Sequence, residues 1–130
     1  MDTINEIYNM LGASVIDNSP ESWIEGILRL EVQPKHSSYN GIYKTNKGDI
    51  DISVFDFPLE TGDAIISLHK LTTEGGHNKW NKAKFTVTPD KKFDMEFVWD
   101  QEWQDEVDGY NRQEAEKDPN YIPPKWHWEQ

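Results

Sequence analysis

Two short runs of alternating apolar and polar residues constrain the fold more than any other feature of this sequence. They cover residues 80–88 and 92–99 and are separated by a Pro-Asp-Lys turn signal. Side chains of a strand point alternately to opposite faces of a sheet, and Pro and Asp favour tight turns. The pattern therefore predicts an antiparallel hairpin with one apolar face and one polar face.

Hydrophobic spacing and turn signals divide the rest of the chain into further elements. The predicted elements are a helix over 2–17, strands over 23–33, 38–45 and 49–55, a helix over 57–73, the hairpin strands over 80–88 and 92–99, a helix over 100–117, and an extended tail. Asp2 or Thr3 is expected to cap the first helix, and Thr61 the second. The short connections favour antiparallel pairing. We predict one α+β domain over residues 1–130, an antiparallel sheet of about five strands with helices packed mainly on one face.

The charge balance limits the partners that this chain is expected to bind. Twenty-four acidic residues against 13 basic ones give a net charge of −11. Phosphate backbones and anionic membranes attract Lys and Arg, so we expect neither direct nucleic-acid binding nor membrane binding. The chain has no cysteine, and its first residues lack the basic and apolar regions of a signal peptide. Both features predict a cytoplasmic location.

Catalytic motifs are missing from the sequence. The four histidines do not have metal-site spacing, and neither the G-x-S-x-G elbow nor the phosphate-binding loop occurs. We therefore predict a protein that is not an enzyme and that has no metal and no cofactor. A small hydrolase stays open as an alternative, because Asp49 and Asp51 share one face of a predicted strand and two neighbouring carboxylates can bind a cation. The simpler interpretation is a solvated strand face, with His69 as a buried structural residue.

The six tryptophans have different expected roles. Those at positions 23, 80 and 99 lie in predicted strands and are expected in the core. The other three, at 103, 126 and 128, can cover the core or serve as exposed contacts. The first of these lies in an acidic segment, residues 100–118, with eight carboxylates against Arg112 and Lys117. The segment is either a solvated helix face or a surface that docks a basic protein.

Several ordered features resemble the YezG-like family of small bacterial immunity proteins. They are the amphipathic first helix with Ile4, Ile7 and Leu11, the Pro20-Glu21-Ser22-Trp23 entry into a strand, Trp80 before the next strand, and the hairpin from Lys84-Phe85-Thr86-Val87 to Glu96-Phe97-Val98-Trp99-Asp100. The resemblance spans about residues 4–100. It implies an α+β fold without catalytic residues that binds and neutralises a cognate toxin, often a nuclease. The ending YIPPKWHWEQ differs from the usual tail of the family.

The sequence thus predicts an immunity protein whose partner is a cognate, basic toxin domain. Tryptophans can supply buried anchors for such an interface, and carboxylates can supply complementary charge. The predicted toxin-binding residues are Trp99, Glu102, Trp103, Asp105, Glu106, Asp108, Trp126 and Trp128. The alternative is a carbohydrate- or ligand-binding module, which would present exposed, coplanar tryptophan rings on one sheet face.

Overall fold

A computed structural model describes residues 3–129 of the chain. Three helices and five strands occur in this part. They are α1 (Ile4–Asp17), β1 (Trp23–Gln33), β2 (His36–Thr45), β3 (Gly48–Asp51), α2 (Thr61–Thr72), β4 (Lys82–Val87), β5 (Phe93–Val98) and α3 (Gln101–Lys117). Short 3₁₀ turns lie at Val54–Asp56, Glu74–Gly76 and His127–Glu129. The chain is an α+β domain, as the sequence predicts.

The five strands form one antiparallel sheet in the order β3-β2-β1-β4-β5. The α1 and α2 helices contact each other and pack on one face of this sheet. Their apolar sides meet the inward residues of the strands, and this layer is the hydrophobic core. Its largest fully buried side chains are Trp80, Tyr43, Phe85, Ile7, Leu11, Leu28, Leu30, Ile65 and Leu68. The predicted sheet, its strand number and its helix-covered face are confirmed.

The opposite face of the sheet is polar. Residues paired across neighbouring strands point to the same side, which places Glu31, Lys82 and Val98 in one outward row. Lys82 Nζ lies 3.8 Å from the Glu31 carboxylate, and Lys44 Nζ lies 3.7 Å from that of Glu25. Such half-exposed pairs contribute little stability, so this face is mainly a solvated one.

The first helix begins where the sequence predicts a cap. Thr3 Oγ1 accepts a hydrogen bond of 3.1 Å from the Glu6 backbone N–H, and the helix runs from Ile4. The alternative cap, Asp2, lies outside the described residues. The predicted cap of the second helix is wrong. Glu60 occupies the cap position, and the Thr61 hydroxyl instead donates to the Pro58 carbonyl at 2.6 Å.

The segment between the third strand and the second helix differs most from the prediction. The β3 strand ends at Asp51 instead of residue 55, and α2 begins at Thr61 instead of residue 57. Residues 52–60 form a loop that contains the 3₁₀ turn Val54–Asp56. The predicted strand is too long because β3 lies at the sheet edge and pairs only with the end of β2.

The third helix matches its prediction at both ends. Asp100 caps it by accepting a hydrogen bond of 3.0 Å from the Trp103 N–H, and it ends at Lys117, before Asp118 and a proline. Trp103 is half-buried. Tyr110, farther along the helix, is 70 % exposed. No helix within residues 3–129 is long and apolar enough to cross a membrane.

Candidate binding surface around the third helix

The start of α3 is fixed to the sheet by a buried asparagine. Asn81 Oδ1 accepts a 2.7 Å hydrogen bond from the Asp100 N–H, and its amide donates to the Asp100 carbonyl and to Gln104 Oε1. Lys82 Nζ lies 2.9 Å from Asp100 Oδ2 and 5.0 Å from the Trp103 ring centroid. The Trp103 N–H and, next, Lys82 hold the pKa of Asp100 below its usual value. These contacts set the direction in which α3 leaves the sheet.

The helix presents three different faces. Because an α-helix turns about 100° per residue, Gln104 and Asp108 share one side, and Glu102 lies on the opposite side. Trp103 lies on a third side, against Lys82. Five of the eight predicted contact residues lie on this helix and are spread over more than half of its circumference, and the other three, Trp99, Trp126 and Trp128, lie outside it.

The side opposite Gln104 is acidic and open to solvent. Glu102, Asp105 and Glu106 are all exposed. Asp105 Oδ1 accepts a hydrogen bond of 2.8 Å from Gln101 Nε2. Among residues 3–129, none of these three carboxylates forms an ion pair. We call these three residues the acidic face of α3; its charge is not neutralised by the protein itself.

The side that carries Gln104 lines a cleft of about 400 Å³. The cleft forms because the chain turns back after α3, where the Tyr121 hydroxyl donates to Asn111 Oδ1 at 3.1 Å. Its walls combine tryptophan rings with amide and carboxylate groups. The lining residues include Gln33, Gln101, Gln104, Asp108 and Asn111 together with Trp99, Trp126 and Trp128. Such a mixture can hold a polar ligand by stacking and hydrogen bonds.

The floor of this cleft is an amide network. Gln104 is buried, and its amide group exchanges hydrogen bonds of 3.2 and 3.3 Å with that of Gln33. Its Nε2 also donates to Asp108 Oδ1 at 3.1 Å. Gln33 and Gln104 are 71 residues apart in the chain, so no sequence pattern indicated that they would meet. These amides were missed by the sequence analysis.

The returning tail inserts Trp126 into the core. Its ring is only 5 % exposed, and its centroid lies 4.8 Å from that of His69 and 4.9 Å from that of Trp128. Little of the Trp126 ring is accessible although it lines the cleft, and its role as a toxin contact stays a prediction. Trp99 and Trp128 are half-buried against the same cluster. Apolar area this large is worth more in the core than at a solvated surface.

His69 is the buried residue on which Trp126 and Trp128 of the tail pack. Its Nε2–H donates to the Trp80 carbonyl at 2.7 Å. Burial lowers the pKa of His69 to about 4, although that hydrogen bond acts in the opposite direction and His127 lowers it further. The ring is therefore neutral at pH 7. This agrees with the structural role that its position on the apolar side of α2 suggested.

The residues of the two alternative functions lie in other places. Asp49 and Asp51 are exposed on the edge strand β3, opposite Lys44 and Ile42 of β2. Within residues 3–129 no three histidine or acidic side chains are grouped to hold a metal ion. The outward strand positions of that part carry no aromatic residue, so the coplanar rings that a sheet-face sugar site needs are not found.

The fold places the chain in the class of α+β domains with a single antiparallel sheet. No protein-family model matches it, and no curated protein does so either. Its resemblance to the YezG-like immunity proteins therefore stays a prediction.

Proposed function

We propose that this chain is an immunity protein that binds a cognate bacterial toxin domain and blocks its activity. The observation that supports this most is the acidic face of α3, where three exposed carboxylates have no ion-pair partner among residues 3–129. The net charge of −11 acts in the same direction. Toxin domains that cleave nucleic acids need a basic substrate-binding surface, and that surface is complementary to this one.

The mechanism follows from charge complementarity. An acidic protein and a basic nuclease attract each other over about 10 Å at moderate ionic strength, which accelerates encounter. Once bound, the carboxylates would occupy the place of substrate phosphates, so the toxin could not reach its substrate. No catalytic step by this chain is required. We propose that it acts in the cytoplasm, where the toxin would reach its substrate.

Co-expression tests the proposal directly. We expect the gene next to this one to encode the toxin domain, which is expressed alone and with this chain while growth and co-purification at about 50 mM NaCl are measured. We expect this chain to restore growth and to co-purify. A toxin that still arrests growth, together with a failure to co-purify, would overturn the proposal.

A matched pair of variants tests the contribution of the acidic face. The first variant carries Glu102→Gln, Asp105→Asn and Glu106→Gln. The control removes three charges from the far end of α3, by Glu114→Gln, Glu116→Gln and Asp118→Asn. We expect the first variant to associate with the toxin about tenfold more slowly at low salt, and the control much less so. Equal effects would show that net charge alone, and not this face, attracts the partner.

The cleft beside α3 favours a second candidate, a module that binds a polar ligand such as an oligosaccharide. Trp99 and Trp128 offer ring surface next to the amide groups of Gln101 and Asn111. Sugar rings stack on such surfaces while their hydroxyls bond to amides. Tryptophan fluorescence titrated with a panel of neutral oligosaccharides tests this candidate. A saturable change that Trp128→Ala abolishes would support it, and an unchanged spectrum across the panel would exclude it.

A further inference from the structure

The loop between β3 and α2, residues 52–60, exposes two large apolar side chains. Phe55 is 96 % exposed and Leu59 is fully exposed, whereas Phe57 between them is only 5 % exposed. We call Phe55 and Leu59 the apolar tip. Folding gains nothing from leaving such side chains in water, and large exposed apolar side chains that lie close together along the chain can mark an interaction site. The tip therefore needs an explanation other than stability.

The loop is held in one conformation by local contacts. The Phe57 ring stacks on that of Tyr39, with their centroids 5.7 Å apart. The Phe57 N–H donates to the Val54 carbonyl at 3.1 Å. Thr61 donates to the Pro58 carbonyl through both its N–H, at 3.1 Å, and its hydroxyl, at 2.6 Å. Because the loop is ordered before binding, a partner that covers the tip loses little conformational entropy.

Negative charge surrounds the tip in the sequence. Residues 49–63 contain five carboxylates and no Lys or Arg: Asp49, Asp51, Asp56, Glu60 and Asp63. All five are exposed, and none forms an ion pair among residues 3–129. Protein interfaces combine an apolar centre with a polar rim, and Asp56 and Glu60, each next to a tip residue in the chain, supply acidic groups for such a rim. The sign of the rim requires a basic partner.

We propose that the apolar tip anchors the same basic protein partner that the acidic face of α3 attracts. The inference rests on the proposed function and names the residues that become buried in the complex. A second copy of this chain would bring two acidic rims together, and like charges oppose that contact. An anionic membrane is opposed for the same reason. A basic protein with an apolar pocket satisfies both parts of the surface.

The start of α2 and the Gln104 side of α3 both contact the chain near the turn that joins β1 to β2. Gln33 bonds to Gln104 of α3, and the Ser37 hydroxyl donates to the Gly62 carbonyl at 2.8 Å, just after the loop. Gln33 and Ser37 flank the single turn that joins β1 to β2. The α3 helix and the loop that carries the tip are thus both attached next to this turn, and the acidic face is on the side of α3 turned away from Gln104.

Alanine substitution of the tip tests the inference. Phe55→Ala and Leu59→Ala are each measured for binding to the adjacent-gene toxin domain by calorimetry in about 150 mM NaCl. We expect each variant to bind about 30-fold more weakly, as when a buried interface anchor is truncated. The dependence of affinity on salt should stay as in the unsubstituted chain, because neither residue is charged. Ile122→Ala, an equally apolar change at another exposed site, is the control and should leave affinity unchanged.

The outcomes separate this inference from the proposed function. If the unsubstituted chain does not bind the toxin domain, both are overturned. If the unsubstituted chain binds and both tip variants bind as tightly as it does, only the tip assignment is overturned. Sedimentation of the chain alone is the second measurement. Self-association that Phe55→Ala abolishes would assign the tip to a second copy and overturn the partner proposed here, and a monomer in both cases agrees with it.

Discussion

The tryptophan-rich side of the molecule and the β3–α2 loop have their large apolar residues arranged in opposite ways. On the tryptophan side, Trp126 is buried, and Trp99 and Trp128 pack against the core. In the loop, Phe55 and Leu59 are almost entirely in water. The tryptophan-rich side thus buries most of its aromatic surface in the folded domain. The β3–α2 loop contains fewer large apolar side chains but leaves two of them accessible to a partner.

Aromatic content by itself therefore does not locate an interface. A tryptophan that returns to the core at the end of a chain contributes to the stability of the domain, and only a ring that stays accessible can contribute to binding. Exposed negative charge, unlike exposed apolar area, is present in both regions. Both regions carry exposed carboxylates without ion-pair partners within residues 3–129, so both can attract a basic protein.

The largest expected effect is the loss of the tail anchor. Trp126→Ala removes a ring that contacts His69 and Trp128, and we expect the free energy of unfolding to fall by about 3–5 kcal/mol. Urea denaturation measures it. Tyr110→Ala, at an exposed position of α3, is the control and should change stability by less than about 0.5 kcal/mol. Similar values for the two variants would mean that the tail is not part of the core.

Acid should lower the free energy of unfolding of the domain through His69. The pKa of His69 is lowered to about 4, below its unfolded value of 6.5. The unfolded chain therefore binds a proton first as the pH falls, and stability is lost from about pH 6.5 towards pH 4, by about 3 kcal/mol in total. Urea denaturation of the unsubstituted chain and of His69→Gln is compared at several pH values. The variant lacks the titrating ring but keeps all other titratable groups, so the difference between the two curves isolates His69. An NMR titration that gives this ring a pKa near 6.5 would contradict the expectation.

Removing the asparagine that fixes α3 should have an intermediate effect. Asn81→Ala deletes three hydrogen bonds and leaves the Asp100 N–H without its partner, which we expect to cost about 2 kcal/mol. Hydrogen exchange should then become faster in α3 while the β3–α2 loop keeps its rate. Asn40→Ala, on the solvated sheet face, is the matched control. Equal exchange in α3 of both variants would show that Asn81 does not hold this helix.

The smallest effect on stability is expected at the apolar tip. Phe55→Ser and Leu59→Ser should each change the free energy of unfolding by less than about 0.5 kcal/mol, since these side chains leave no core contact behind. Phe57→Ala, two residues from each, should cost about 3 kcal/mol because its ring is buried. Thermal and urea unfolding of the three variants gives the answer. A tip variant as unstable as Phe57→Ala would place the tip in the core and remove the contrast between the two regions.

Much of the fold was predictable because local signals agree with tertiary packing. The alternation in 23–33 and in the hairpin gave β1 with its observed ends and β4 and β5 to within about two residues, since a half-buried sheet needs a period of two. Asp118 and Pro119 end α3 as expected. The prediction failed over residues 52–60, where Ile52 and Phe57 are buried without belonging to a strand or helix.

The candidate site was predictable only in part. Exposure of Glu102, Asp105 and Glu106 follows from charge, because carboxylates without partners stay in water whichever way the helix turns. The positions of the tryptophans do not follow, since a large ring gains free energy both in a core and at an interface.

Periodicity and charge are local properties, so the α+β class, the five-stranded sheet and the acidic character of the chain are all predictable from the amino-acid sequence. The packing of Trp126 on His69, the pairing of Gln33 with Gln104 and the exposure of Phe55 and Leu59 are seen only in the folded chain. These outcomes depend on contacts between residues that are far apart in the chain. Packing of the core decides which apolar side chains become buried, and only the remaining ones are accessible to a partner.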